Sequence, residues 1–261
     1  MSKIEGFLSL NFGPTIEKIR LDNSAWFELL EDCNRLAMSV LPCLRPGTAD
    51  NQKLLESAHF AKALQSIQAV VLLAERGMVG DARTVLRSCI ETAIFQRKMQ
   101  QDPSFADKLA ERHEYHRVKI VNALLDDAAS RAELTPAQVE SMQAVVAEIQ
   151  AKYPGRKLSD ISLFNVATSV NGLALYNLIY RSASGDAAHT TLDSLVRHVV
   201  VDKNDDITGL RFGPQVEGLA DTLSAAVSVV LHVLDSAVES FELTEFREGI
   251  AGCLGRWKGM T

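Results

Sequence analysis

Several features are scarce in this chain, and each scarcity removes a class of protein. The four cysteines, Cys33, Cys43, Cys89 and Cys253, contain no Cys-x-x-Cys pair and offer no disulfide framework for a stapled mini-protein. Each lies in or near a helical apolar pattern, where a free thiol behaves as a small hydrophobe, so all four read as reduced core residues. Only seven prolines in 261 residues argues against a disordered or linker-rich chain. The net charge of -6 is spread along the sequence without the basic patch that dominates nucleic-acid affinity, which speaks against duplex DNA as a partner. The longest apolar runs, such as Val227 to Leu234, are interrupted by Ser228 and His232. The start of the chain lacks the basic residues and apolar run of a secretory signal. No membrane association is therefore expected, and the expected location is cytoplasmic. Repeats, low-complexity tracts and boundary linkers are absent too. The expected organisation is an N-terminal arm over residues 1–22 followed by a single helical domain over 23–261.

What remains is a globular composition, 47% hydrophobic and 23% charged, written largely with helical periods. Trp26, Phe27, Leu30, Cys33, Leu36, Ala37, Val40 and Leu41 recur at spacings of three and four behind Asn23 or Ser24 as cap. Asp50 caps a second helix to about Arg76, with Gly77 as its stop. A tight Gly77–Gly80 turn then leads into a helix to about Gln101, so these two form an antiparallel hairpin. Ser104 caps a helix through Leu125, and Thr135-Pro136-Ala137-Gln138 combines cap, first-turn proline and capping-box glutamine for a peripheral helix to about Lys152. Ser159 opens a short helix, residues 171 to about 182 form another, and Asp186 is placed to cap a third. Val199–Val201 and Ile207–Phe212 form the one strand signal, a small β-hairpin. A long amphipathic helix runs from Gln215 to about Ser240, followed by a short one over residues 244–254. The fold class is all-α: a single multi-helix bundle with a long helical hairpin and one small β-hairpin near 199–212.

Two polar clusters stand out against this apolar background. On the helix after Gly80, Thr84, Arg87, Ser88 and Glu91 share one face, while Val85, Leu86, Cys89, Ile90 and Ile94 make the other. Arg four residues before Glu is the poorer order for an exposed helical pair, which favours a role across helices over a surface ion pair. Ser88 has no base supplied by any pattern and reads as a packing residue. The second cluster is Tyr180, Arg181, Asp186 and His189: an arginine to hold an anion, a histidine to exchange protons and a tyrosine to donate a hydrogen bond. Its bland alternative is a helix junction tied by polar side chains.

The other histidines carry less. Glu56-Ser57-Ala58-His59 has the Glu-x-x-His spacing of di-iron bundles, but a second copy is missing. His113 and His116 are three apart and share a helix face without a third ligand. A packing or surface role outweighs metal binding for both pairs, His198 and His232 show no partner pattern, and no cofactor is called for.

Taken together, Glu75-Arg76-Gly77, Gly80-Asp81-Ala82, Leu86-Arg87-Ser88 with Glu91, and downstream Tyr180-Arg181 with Ser184 and His189 resemble a bacterial all-helical family of uncharacterised function, over about Leu54 to His198. In that family an Arg-Ser-x-x-Glu helix and a Tyr-Arg…His junction recur together, which implies that the two clusters meet in space. A weaker likeness is to HEPN-type helical domains of prokaryotic defence systems, whose active-site Arg and His are four to six residues apart. Here seven residues separate Arg181 from His189, and three separate Arg112 from His116. Three functions follow as expectations. One is a polar pocket of Arg87, Glu91, Tyr180, Arg181, Asp186 and His189 that binds a small anionic ligand or an RNA phosphate. Another is a HEPN-like ribonuclease or toxin in phage defence with Arg181 and His189 catalytic. The third is a homodimeric interaction protein whose polar clusters fix helix register.

Overall fold

The computed structural model describes residues 5–47, 50–180, 191–204 and 206–261. By contacts the chain gathers into two compact units, residues Met1–Gln101 with Leu163–Thr261, and residues Asp102–Ser162.

The first unit is a helical bundle. It contains α1 (Gly13–Asp22), α2 (Ser24–Val40), α3 (Asn51–Ala74), α4 (Val79–Gln101), α8 (Leu163–Ser169), a π-helical segment (Leu175–Tyr180), α9 (Leu192–Val196), strands β1 (Val199–Val201) and β2 (Ile207–Leu210), α10 (Leu219–Ser240) and α11 (Arg247–Met260). Helices α3 and α4 form the hairpin, and α10 lies against α2, α3 and α4. Phe27, Phe60, Leu86, Ile90, Leu223 and Leu234 are fully enclosed between them. Helix α10 is apolar nearly all round, as a helix buried on most sides should be. Among the described residues it alone is long and apolar enough to cross a bilayer, and 72% of its most apolar window is buried inside the bundle. Helix α11 covers α2 and α10 and brings the Cys253 thiol against Cys33, whose own ionisation burial opposes strongly. Burial also pushes the Cys89 thiol up to about 12. All four cysteines are free thiols.

A polar lock crosses one end of this bundle. Glu56, 1% exposed, accepts from Gln52 Nε2 at 2.7 Å and from the Ser240 hydroxyl. Lys53 Nζ lies 3.6 Å from the same carboxylate, donates to Ser240, and sits 4.7 Å from the centre of the Phe241 ring. Gln52 also donates to the Met99 carbonyl at 2.9 Å, so α3, α4 and α10 are tied by groups that satisfy one another.

The second unit holds α5 (Phe105–Asp126), α6 (Ala128–Ala132) and α7 (Pro136–Lys152). Its buried residues are Phe105, Ala106, Glu114 and Ile149. Charged pairs do much of the joining. Glu114 accepts from Arg117 at 2.7 Å and Lys152 at 3.3 Å, Arg156 reaches both Glu111 oxygens at 2.8 Å, and Arg112 Nε donates to Asp160 at 2.8 Å. Desolvation raises the Glu114 and Asp160 carboxyls, but their cationic partners outweigh it and hold both below the usual carboxylate range.

Several local expectations change. Within the expected N-terminal arm, Gly13-Pro14 opens α1, because a proline in the first helical turn lacks only an N–H that has no helical acceptor there. Ser104 stands at the N-cap of α5 as expected, but its side chain makes no capping bond; instead Asp102 accepts from the Ser104 N–H at 3.1 Å and its hydroxyl at 2.6 Å. Helix α8 starts at Leu163, beyond the Ser159 expected to open it. Asn171 ends this helix where a start was expected: at φ +57° it holds the left-handed position that lets the Gly172 N–H donate back to Ala167 O at 2.8 Å. Helix α10 begins at Leu219, four residues after the expected Gln215, because Gly218 is left-handed. The expected capping box at Thr135 and Gln138 and the hairpin at 199–210 are present.

Candidate functional site

The α4 helix carries the first cluster, and its start is pinned by the backbone. Gly77 sits at φ +73°, its N–H donating to Ala74 O at 2.9 Å and that of Met78 to Leu73 O at 3.0 Å, a helix stop that favours glycine. A Cβ at Gly77 would come within 2.8 Å of Pro214 Cβ, and the Gln215 N–H donates to the Gly77 carbonyl at 2.9 Å. One turn into α4, Arg83 Nε donates to Thr222 Oγ1 at 2.9 Å and its Nη2 to Gly218 O at 3.2 Å. These bonds tie α4 to the head of α10. Arg83 is a positioning residue that no sequence spacing singles out, since its partners lie more than a hundred residues away.

The polar stripe divides along its length. Thr84 and Ser88 are exposed, whereas Arg87 and Glu91 are half-buried. Arg87 Nη2 donates to the Tyr180 hydroxyl at 2.6 Å, and the guanidinium carbon lies 4.5 Å from the centre of the Tyr180 ring. Tyr180 stacks on Tyr176 at 5.2 Å and 17°, and Tyr176 meets Phe164 edge-on at 5.5 Å. Residues from α4, the π-helical segment and α8 thus make one ladder of three rings ending in a cation. A π-helical segment is a rare conformation, found often at functional sites. The ring fixes the plane of a group whose five N–H donors match the oxygens of a phosphate or carboxylate.

Further along α4 lies a cavity of about 220 Å³, lined by Arg97, Asn171, Leu175, His232, Asp235 and Ser236 among others. Arg97 donates to Glu239 at 2.7 Å and lies 3.4 Å from Asp235, so its charge is matched by acids. His232 Nδ1 donates to the Ser228 carbonyl at 2.7 Å. Besides Asp235 and Ser236 on its own helix, the neighbours of His232 in the cavity come from α4 and the segment after α8, which no spacing around His232 announces.

The remaining candidates are distributed differently. Arg181, Asp186 and His189 lie outside the described residues. Glu56 faces the Lys53–Ser240 lock, while His59 Nδ1 donates to Leu55 O at 2.8 Å; burial holds that imidazole below its usual pKa. His116 Nε2 approaches Asp160 at 3.4 Å, and His113 is exposed. Among the described residues no group of three or more His, Cys, Asp or Glu side chains is arranged to hold a metal ion.

The model of one protein family, described as a family of unknown function (DUF5677), matches residues 54–207, more than half of the chain. The matched span includes the α3–α4 hairpin, Arg87 and Tyr180. No curated protein and no solved structure matches the chain.

Proposed function

The chain belongs to DUF5677, and on that premise we propose that its α4 face binds a phosphate-bearing ligand, a nucleotide or an RNA phosphate, through Arg87. The observation that carries this reading is the 2.6 Å contact of Arg87 with Tyr180 at the end of a stacked aromatic ladder. Arginine and aromatic rings together are the recurring means of holding a phosphate while a base stacks beside it. In this reading Glu91, one turn along the same helix, accepts from a base or sugar. Arg181, Asp186 and His189 enter from the sequence: Arg181 as a second cation, Asp186 as a ligand contact and His189 as a proton-exchanging group. The setting for such a ligand is the cytoplasm.

Calorimetric titration of the full chain with AMP, with inorganic phosphate and with a short single-stranded RNA tests the reading. Binding of at least one probe is expected, weakened at least about tenfold in Arg87→Ala, since a hydrogen bond to a charged group contributes about 1.5–3 kcal/mol. Tyr180→Phe keeps the ring and loses the 2.6 Å bond, so its loss should be smaller. Wild-type affinity in a cooperatively melting Arg87→Ala protein, or no heat from any probe, overturns the proposal.

A further inference from the structure

Among the described residues no strand pairs with the outer edge of the β-hairpin. Strands β1 and β2 form a two-stranded sheet, and such a hairpin is marginal in water on its own. The pairings Val199↔Leu210 and Val201↔Ile207 set these four apolar residues on one face. Val201, Ile207 and Leu210 are 54%, 74% and 83% exposed. Scattered single apolar residues on a surface need no explanation, but a cluster on one strand face marks an interaction site.

The hydrogen bonds show which backbone groups face outward. The Arg211 N–H donates to His198 O at 2.8 Å, and the Asp202 N–H donates to Asp206 O at 2.9 Å. Leu210 and Ile207 lie just inside those two bonded pairs, at positions where an antiparallel strand turns its own N–H and C=O away from its neighbour. Three residues apart, they would point to opposite edges of a regular strand. The register shift between Val200 and Val201 turns both to the same outer edge.

This edge is complementary to itself. The order is Asp206-Ile207-Thr208-Gly209-Leu210-Arg211, with an exposed acid before the strand and an exposed base after it. We propose that β2 pairs antiparallel with β2 of a second copy of this chain across a two-fold axis, joining two hairpins into one four-stranded sheet. Each Ile207 then lies opposite the partner's Leu210, and each Asp206 opposite the partner's Arg211. A two-fold interface requires that a patch complement itself, and the charges at the two ends of β2 meet that requirement in this register alone. A strand from an unrelated protein would have no reason to match both ends.

The test is the mass of the full chain by sedimentation between about 1 and about 200 μM. A monomer–dimer equilibrium is expected in this range, because one added strand pairing is a small interface. Arg211→Asp and Asp206→Arg each set like charges opposite one another twice, and each should weaken the dimer at least about tenfold. The double exchange Asp206→Arg with Arg211→Asp restores the pairs in reversed sense and should recover wild-type association. Both positions are exposed, and circular dichroism melts check that each variant folds. A monomer throughout the range overturns the proposal, as does a dimer indifferent to either single change or a double exchange that fails to recover association.

Discussion

The two units are written in the same helical period and held together by different forces. In the first, Phe27, Phe60, Leu86, Ile90, Leu223 and Leu234 are enclosed, and the fully buried acid Glu56 is satisfied inside the bundle. In the second, four residues are buried, one of them Glu114, and ionic bonds between partly exposed side chains join α5 to α7 and to the segment after it. Apolar burial is not subject to charge screening, whereas exposed ion pairs are screened and each contributes up to about 1 kcal/mol. Periodicity therefore reports that a helix forms, and says little about how firmly it is held. The second unit should be the first to open, a cooperative region of low local stability.

The largest test of that contrast is Phe60→Ala, expected to cost about 3–5 kcal/mol in urea unfolding, with a cavity left between helices of the first unit. A cost under about 1 kcal/mol would remove the core from its assigned place. Glu56→Ala should follow at about 3 kcal/mol, because it leaves Lys53, Gln52 and Ser240 without their shared acceptor, and Glu56→Gln should recover part of the loss. In the second unit Glu114→Gln should cost no more than about 1 kcal/mol, seen as faster amide exchange confined to residues 102–162.

Acid weakens both units, in different windows. His59 has a native pKa lowered by burial, so the unfolded chain binds the proton better; its neutral form is fully favourable above about pH 6.5, and stability falls as pH drops below that value. Amide protection of α3 should therefore weaken between pH 7 and about pH 5.5, and His59→Gln should flatten that slope. Glu114 and Asp160 have native pKa values below the ordinary range, so their contribution is present above the usual carboxylate pKa and is lost as pH falls through their lowered values. Protection in the second unit should hold until about pH 4 and then fail. The smallest effect is a gain. Glu242 is exposed at φ +57°, in the left-handed position that closes α10, and Glu242→Gly should stabilise by about 0.5–1 kcal/mol, read as a small rise in Tm.

Much of the bundle is legible because its signals are local. Thr135 and Gln138 form a capping box within four residues, Gly77 stops α3 one turn from its last apolar residue, and the hairpin strands flank a short acidic turn. Where one residue serves two structures, local reading fails. Pro14 fits both a break and a helix start, and Asn171 fits both a helix start and a left-handed stop. Of the α4 site, Arg87 and Tyr180 stand out as polar residues in apolar stretches, but the stacking of Tyr180 between Arg87 and Tyr176 is a property of the π-helical segment, which no period announces. Arg83 is invisible for a further reason: its partners, Thr222 and Gly218, are brought by tertiary packing and leave no spacing in the chain.

The place of α10 against α2, α3 and α4 sets a schedule for the growing polypeptide. The α3–α4 hairpin is complete once Gln101 has been made, but the helix that covers it begins at Leu219. At a synthesis rate of about 5–20 residues per second, roughly six to twenty-four seconds pass between the two on the ribosome. Throughout that interval the hairpin's apolar side lacks the helix that covers it in the finished protein. Slowed translation between these two points lengthens the exposure.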